Sequence, residues 1–202
     1  MAPITCRYIR WVITERRGLV DYLQASEFRV RYTGSIVSWS AGAIATNPGG
    51  EPGAFGSQES ASALIDGNTA TKWGEAWFNI NGASNTVGVS MIEIDNTTPI
   101  TIDAYQYATA NDAQNRDPVS WKLYTSEDYN TWTLVDEVSD ASITTSRQTY
   151  TQIFPIGFVT SSFAKIFRYS EPTDSYADVT LPTSRITGSS ASILTTNGPQ
   201  VY

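Results

Sequence analysis

Apolar residues in this chain recur with a period of two, in short runs, rather than at the three-to-four spacing of a helix face. Tyr8-Ile9-Arg10-Trp11-Val12-Ile13-Thr14 predicts a first strand, with Ile9, Trp11 and Ile13 on one face and Arg10 on the other. Ser26-Glu27-Phe28-Arg29-Val30-Arg31-Tyr32 predicts a second, its apolar set Phe28, Val30 and Tyr32 alternating with Glu27, Arg29 and Arg31 on a wet face. Further strands are expected at Met91 to Ile94, Ile100 to Ala108, Val119 to Thr125, Thr131 to Val135 and Tyr150 to Ile156, rich in Val, Ile, Thr, Tyr, Phe and Trp. Many short strands separated by Gly, Asn, Asp, Ser and Pro predict an all-β sandwich.

Between these runs, Asn47-Pro48-Gly49-Gly50-Glu51-Pro52-Gly53 must be a loop, because proline lacks a donor and glycine leaves the backbone free. Ser57 to Ile65 reads as a short helical turn, followed by turn chemistry at Asp66-Gly67-Asn68. From Phe158 onward the pattern weakens into Ser, Thr, Pro and Gly. Residues 1–157 are thus expected to form the sandwich and 158–202 an extended C-terminal arm. Phe158, Phe163, Ile166, Phe167, Tyr169 and Tyr176 favour an arm ordered by docking onto neighbours over a disordered tail.

Composition narrows the function. The chain has 202 residues, 41% hydrophobic and 16% charged, enough for one well-buried domain plus an appendage. A net charge of -7 speaks against nucleic acid as a partner, since phosphate binding needs clustered Lys and Arg. Arg7, Arg10, Arg16 and Arg17 do lie close together, but they read as the outward face of the first strand. Cys6 is the single cysteine and histidine is absent, which removes internal disulfides, Cys/His catalysis and His-based zinc sites. No run approaches the roughly 20 apolar residues of a membrane span. Arg7, Arg10, Glu15, Arg16 and Arg17 interrupt anything resembling a secretory leader, so export by that route is not expected.

Two groups of carboxylates or oxygens carry candidate chemistry. Asp136, Glu137 and Asp140 cluster at the end of a predicted strand, where a carboxyl pair could in principle hydrolyse a glycoside, although such clusters are usually solvated loop rims. No catalytic residue is expected. The more specific stretch is Ala63-Leu64-Ile65-Asp66-Gly67-Asn68-Thr69-Ala70-Thr71-Lys72-Trp73. Asp66, Asn68 and Thr71 alternate as a hard cation such as calcium prefers. They read equally as an ordinary Asp-Gly turn with Asn68 and Thr71 capping backbone groups.

This stretch resembles the "A-x-DG-N-x-x-T-x-W" signature of discoidin, or coagulation-factor type C, modules with the galactose-binding-like fold. Arg116-Asp117-Pro118-Val119-Ser120-Trp121-Lys122-Leu123 is similar to the family's "RDP-x-SW-x-L" strand. Thr125-Ser126-Glu127-Asp128-Tyr129-Asn130-Thr131-Trp132 is similar to "GS-x-DG-x-x-W", with Thr125 and Tyr129 standing where glycine is usual, so that this hairpin is expected to differ in shape. Arg7-Tyr8-Ile9-Arg10-Trp11 and Leu23-Gln24-Ala25-Ser26-Glu27-Phe28 look like strands that usually close such a module, which makes the order permuted and extends the resemblance over about residues 4 to 157. The resemblance implies a jelly-roll β-sandwich and a structural calcium held by Glu27, Asp66, Asn68 and Thr71, with a carbonyl from Ala63. Glu27 is therefore expected beside the Asp66 loop. Trp11, Trp73, Trp121 and Trp132 match core positions. Trp39 and Trp77 are less constrained and either stack on a sugar or are simply buried.

The function this implies is binding and assembly without catalysis. Chains opening on "RYIRW…SEF" and continuing into "DGN-x-x-T-x-W" look like phage structural proteins. The expected role is a virion component, a capsid decoration or part of a tail, baseplate or fibre, made in the host cytoplasm. Its expected partners are other virion proteins, further copies of itself in a homo-oligomer, and a cell-surface glycan, with no nucleic acid and no membrane insertion. The alternative is a free-standing carbohydrate-binding or adhesion module.

Overall fold

The computed structural model describes residues 2–18, 22–48, 59–76, 87–157, 164–170 and 175–181. Thirteen strands are assigned there, with only two short 3-10 turns, at Ala61–Ile65 and Gln114–Arg116. The chain divides into two compact units, Met1–Val159 and Thr160–Tyr202.

The first unit is an antiparallel double-layer sandwich. One layer has the order β10-β9-β1-β7-β5, formed by β10 (Thr133–Val138), β9 (Pro118–Ser126), β1 (Ile4–Arg16), β7 (Val87–Ile102) and β5 (Ile44–Thr46). The other is β11-β8-β3-β4, from β11 (Phe154–Pro155), β8 (Ala104–Ala108), β3 (Glu27–Tyr32) and β4 (Ser35–Val37). A two-stranded ladder of β2 (Tyr22–Ala25) and β6 (Trp73–Ala76) completes the unit. β1 lies in the middle of the larger sheet, with Trp11 facing Ile92 on β7 and Leu123 on β9.

The two-residue alternation is what fills the space between the layers. Ile9, Trp11 and Ile13 from β1 are buried, as are Phe28 and Val30 from β3. Trp11 packs on Phe28 and Tyr107 at ring distances of 5.2 and 5.3 Å, and Trp121 meets Phe154 edge-on at 4.9 Å. Offset and edge-to-face pairs of this kind add stabilisation beyond area burial. The Trp121 indole N–H donates to the Tyr105 hydroxyl at 2.5 Å, which in turn donates to Asp136 at 2.7 Å, so these polar tips inside the sandwich are matched.

Several expectations need correction. The run Ile100 to Ala108 is two strands, because the chain leaves the larger sheet at Ile102 and enters the smaller one at Ala104. The strand expected at Thr131 to Val135 begins at Thr133, since Asp128 gathers the backbone N–H groups of Asn130 and Thr131 into a turn. Only Phe154–Pro155 pairs from Tyr150 to Ile156, apart from a bridge between Tyr150 and Ala108; Pro155 has no N–H to donate. Glu27 is 2% exposed rather than on a wet face, while Tyr32 is 38% exposed at the end of β3. Arg16 is buried, because β1 shifts register between Glu15 and Arg16 and turns that side chain inward.

In the second unit β12 (Ala164–Ser170) and β13 (Ser175–Leu181) form an antiparallel hairpin with Tyr169 opposite Tyr176. Part of the expected extended arm is therefore folded back on itself. Phe158 and Phe163 lie outside the described residues.

Candidate functional site

The 3-10 turn Ala61–Ile65 delivers the chain into Asp66-Gly67-Asn68, where Gly67 takes a φ of +77° that only glycine adopts freely. Asp66 Oδ1 accepts the Asn68 N–H at 2.8 Å, an Asx turn, and Asp66 Oδ2 accepts the Thr71 hydroxyl at 2.7 Å. Asn68 Oδ1 accepts the Ala70 N–H at 3.0 Å, and the Asn68 carbonyl accepts from the Thr71 N–H at 3.1 Å. The loop thus caps its own backbone.

Onto this loop β3 brings Glu27, whose Oε1 accepts the same Asn68 N–H at 2.9 Å from 41 residues away in sequence. Glu27, Asp66, Asn68 and Thr71 therefore meet, and Ala63 lies buried in the preceding turn. Burial first, then the neighbouring Asp66 carboxyl, pushes the Glu27 acid up to about 8, against the pull of the Asn68 and Gly67 N–H groups. Among the described residues neither Glu27 nor Asp66 has a Lys or Arg within ion-pair distance. A buried carboxylate beside a second one, with no cation, is unfavourable unless a proton or a metal ion sits between them.

The donors are all oxygen, which suits a hard cation and not a transition metal. No group of three or more His, Cys, Asp or Glu side chains is gathered among the described residues. Two carboxylates and loop carbonyls would therefore have to do the holding, with the Asn68 and Thr71 side chains already engaged in turns. Sequence reasoning found these residues, but the capping roles it set against ligation coexist with the carboxylate pair.

The remaining candidates separate. Trp39 is half-buried, and its indole N–H donates to the Phe28 carbonyl at 3.3 Å, so its polar edge is turned toward the sandwich. Trp77 lies outside the described residues. Trp11, Trp73 and Trp121 are core, but Trp132 is not: it sits on the outer face of β1 with the Arg10 guanidinium 3.7 Å over its ring. Tyr129, in place of glycine, keeps glycine's left-handed backbone at φ +66°, held by its hydroxyl donating to Glu93 at 2.7 Å. The side chain's anchorage offsets a strain of about 1–3 kcal/mol. Asp136 accepts from Tyr105, and Glu137 pairs with Lys122 at 3.2 Å on the surface.

At the end of the sandwich where β1 finishes, Asp117 is wholly buried. It takes Arg147 through two hydrogen bonds of 2.9 and 2.5 Å and lies 3.5 Å from Arg17. Arg17 also donates to the carbonyls of Ile143 and Thr144, which ties three separate segments together. Sequence reasoning placed Asp117 only as part of a motif and missed this strut, because its partners lie 30 and 100 residues away along the chain.

A family description fits this architecture. The model of the F5/8 type C domain matches residues 43–169. No curated protein and no solved structure gives a match. The matched stretch holds the Asp66 loop, β5 through β11 and part of the second unit, while β1 to β4, including Glu27, precede it. A match over more than half of the chain, on an antiparallel all-β sandwich, places this protein in the F5/8 type C, or discoidin, family.

Proposed function

We propose that this chain is a non-catalytic structural component of a virus particle, a decoration, tail, baseplate or fibre protein, built on a discoidin module with a structural calcium. The family is one of adhesion-type binding modules, and the finer role rests on what accompanies the sandwich. The observation that carries it is the second compact unit, which holds a hairpin of two strands paired only with each other among the described residues. A two-stranded hairpin is marginal in water by itself and gains stability from added strands or a packing surface. A neighbouring copy or another virion protein would supply one.

Calcium would be held by the Glu27 and Asp66 carboxylates with carbonyls of the 63–71 loop. It would neutralise the pair and brace the loop against β3, with no part in chemistry. Of the three carboxylates weighed for hydrolysis, Asp136 is engaged by Tyr105 and Glu137 by Lys122, which supports a binding role.

Deleting residues 158–202 tests the assembly role. The expected result is a soluble sandwich with a native melting transition that no longer enters higher assemblies in light scattering or particle reconstitution. Assembly that survives the deletion refutes it. The second reading, a free-standing glycan-binding module, predicts that the intact chain stays monomeric and retains sugar binding without residues 158–202.

A further inference from the structure

The outer face of the four-stranded sheet carries two arginines that make no ion pair among the described residues. Alternation along β3 sends Phe28 and Val30 into the core and Arg29 and Arg31 to the other side. Arg29 stands directly across from Gln106 on β8. The Gln106 side-chain oxygen accepts from Arg29 Nε at 3.1 Å and Nη2 at 2.9 Å, and from Arg31 Nη1 at 3.0 Å. The Gln106 amide cannot turn away, because its nitrogen donates to the Thr151 carbonyl at 2.6 Å and the residue is 6% exposed.

Two guanidinium groups thus converge on one neutral oxygen, their nearest nitrogens no more than about 6 Å apart by the reach of two hydrogen bonds. Other arginines of the sandwich face carboxylates: Arg7 with Asp95, Arg10 with Glu93, Arg17 and Arg147 with Asp117. Arg29 and Arg31 have no such partner among the described residues, in a chain with 20 acidic and 13 basic side chains. The nearby acids are occupied. Glu27, two residues along the same face, is turned onto the Asn68 N–H, and Asp103 accepts the Thr33 N–H at 2.7 Å.

Donors are left over as well. Each guanidinium carries five N–H groups. Arg31 uses one more on the Gly34 carbonyl at 2.6 Å, while its Nε is buried without an acceptor. The Arg29 guanidinium is held over the face of the Tyr150 ring, 3.3 Å from its centroid. The pair is held in place before any ligand arrives, and planar forks of this kind match the oxygens of a carboxylate or sulfate.

We propose that Arg29 and Arg31 form an oxyanion site that takes the carboxylate or sulfate group of an acidic saccharide. The geometry carries the oxyanion; the saccharide as its source rests on the adhesion-type reading of the module. The site lies on the same sheet face as Glu27 and adjoins the Asp66 loop, since Tyr150, which covers Arg29, also interacts with the Glu27 and Asp66 carboxyls.

The test uses the full chain in three arms: inorganic sulfate followed through the arginine Nε–Hε NMR signals, a set of sulfated and uronic-acid oligosaccharides, and neutral oligosaccharides of the same backbone. The expected result is that sulfate shifts the Arg29 and Arg31 signals and that acidic sugars bind at least tenfold more tightly than neutral ones. Binding should weaken with salt and be lost at least tenfold in the Arg29→Gln, Arg31→Gln double variant. The Arg29→Lys, Arg31→Lys variant should keep part of it, and carries the comparison if the Gln variant does not fold. Unshifted arginine signals, or acidic-sugar binding indifferent to both double variants, overturns the site. Binding of neutral sugars alone overturns it and leaves the adhesion reading standing. Sulfate binding without any sugar binding overturns the saccharide source and that reading together.

Discussion

Removing metal from the Asp66 loop should make the stability of this protein fall as pH rises, and calcium should erase the fall. Without a cation, the folded state keeps a proton on Glu27 up to about pH 8, because burial and the Asp66 carboxyl oppose its loss. The unfolded chain gives that proton up near the ordinary carboxylate value of about 4.3. Between those limits the native state binds more protons than the unfolded one, so stability decreases with increasing pH. At about 1.4 kcal/mol per pH unit the whole window is worth at most ~5 kcal/mol. For a domain of this size that is on the order of 10 °C in melting temperature. Calcium takes the proton's place, so the stabilisation it confers should be small at pH 5 and largest at pH 8. The assay is thermal melting from pH 5 to 8 in EDTA and in millimolar calcium. Asp117 and Glu75 are also pushed upward by burial and add slope of the same sign, so the Glu27→Gln variant isolates the pair. That variant keeps an acceptor for the Asn68 N–H and should lose both the Glu27 share of the slope and the calcium response. Equal slopes in EDTA for the two proteins, or a calcium shift of the same size at pH 5 and pH 8, would refute the reasoning.

Three more outcomes are expected. At pH 8, above the value of about 7 to which burial lifts the Asp117 acid, Asp117→Ala should destabilise the sandwich by about 3–5 kcal/mol in urea denaturation, since it leaves the half-buried Arg17 and Arg147 groups without their carboxylate acceptor; a loss below about 1 kcal/mol removes the strut from the account. Gly67→Ala meets open space but a φ of +77°, so it should cost about 1–2 kcal/mol from backbone strain alone and weaken calcium binding. Cys6 is 1% exposed and burial pushes its thiol up to about 12, so a thiol-reactive dye should label it only as fast as the chain unfolds; rapid labelling of the native protein contradicts the core assignment.

Much of the sandwich was legible in the sequence because a half-buried strand has to alternate. Ile9, Trp11, Ile13, Phe28 and Val30 declare their inner face without knowledge of their partners. The Asp66 turn was legible for a similar reason, its hydrogen bonds spanning five residues or fewer. What could not be read depends on contacts far apart in sequence. Alternation put Glu27 on the wet side, and only the approach of the 66–71 loop covers it. Arg16 followed the same rule and is turned inward by a register shift that no residue type announces. Trp132 looked like core because tryptophan usually is, yet an arginine from the outer face of β1 covers it instead. The hairpin Ala164–Leu181 was hidden because its strands mix polar and apolar residues too evenly to stand out from a linker.

The central place of β1 also governs how this molecule must be made. It leaves the ribosome well before its two flanking strands, Val87–Ile102 and Pro118–Ser126, which follow only after most of the domain has been synthesised. At ordinary translation rates that wait is on the order of 5 to 20 s, during which an apolar, Trp-bearing ribbon stands without partners. Arg7 and Arg10, interleaved with Ile9 and Trp11, then act as gatekeepers against premature stacking of nascent chains. Replacing them with neutral residues would lower the yield of properly closed protein well before it altered the finished fold.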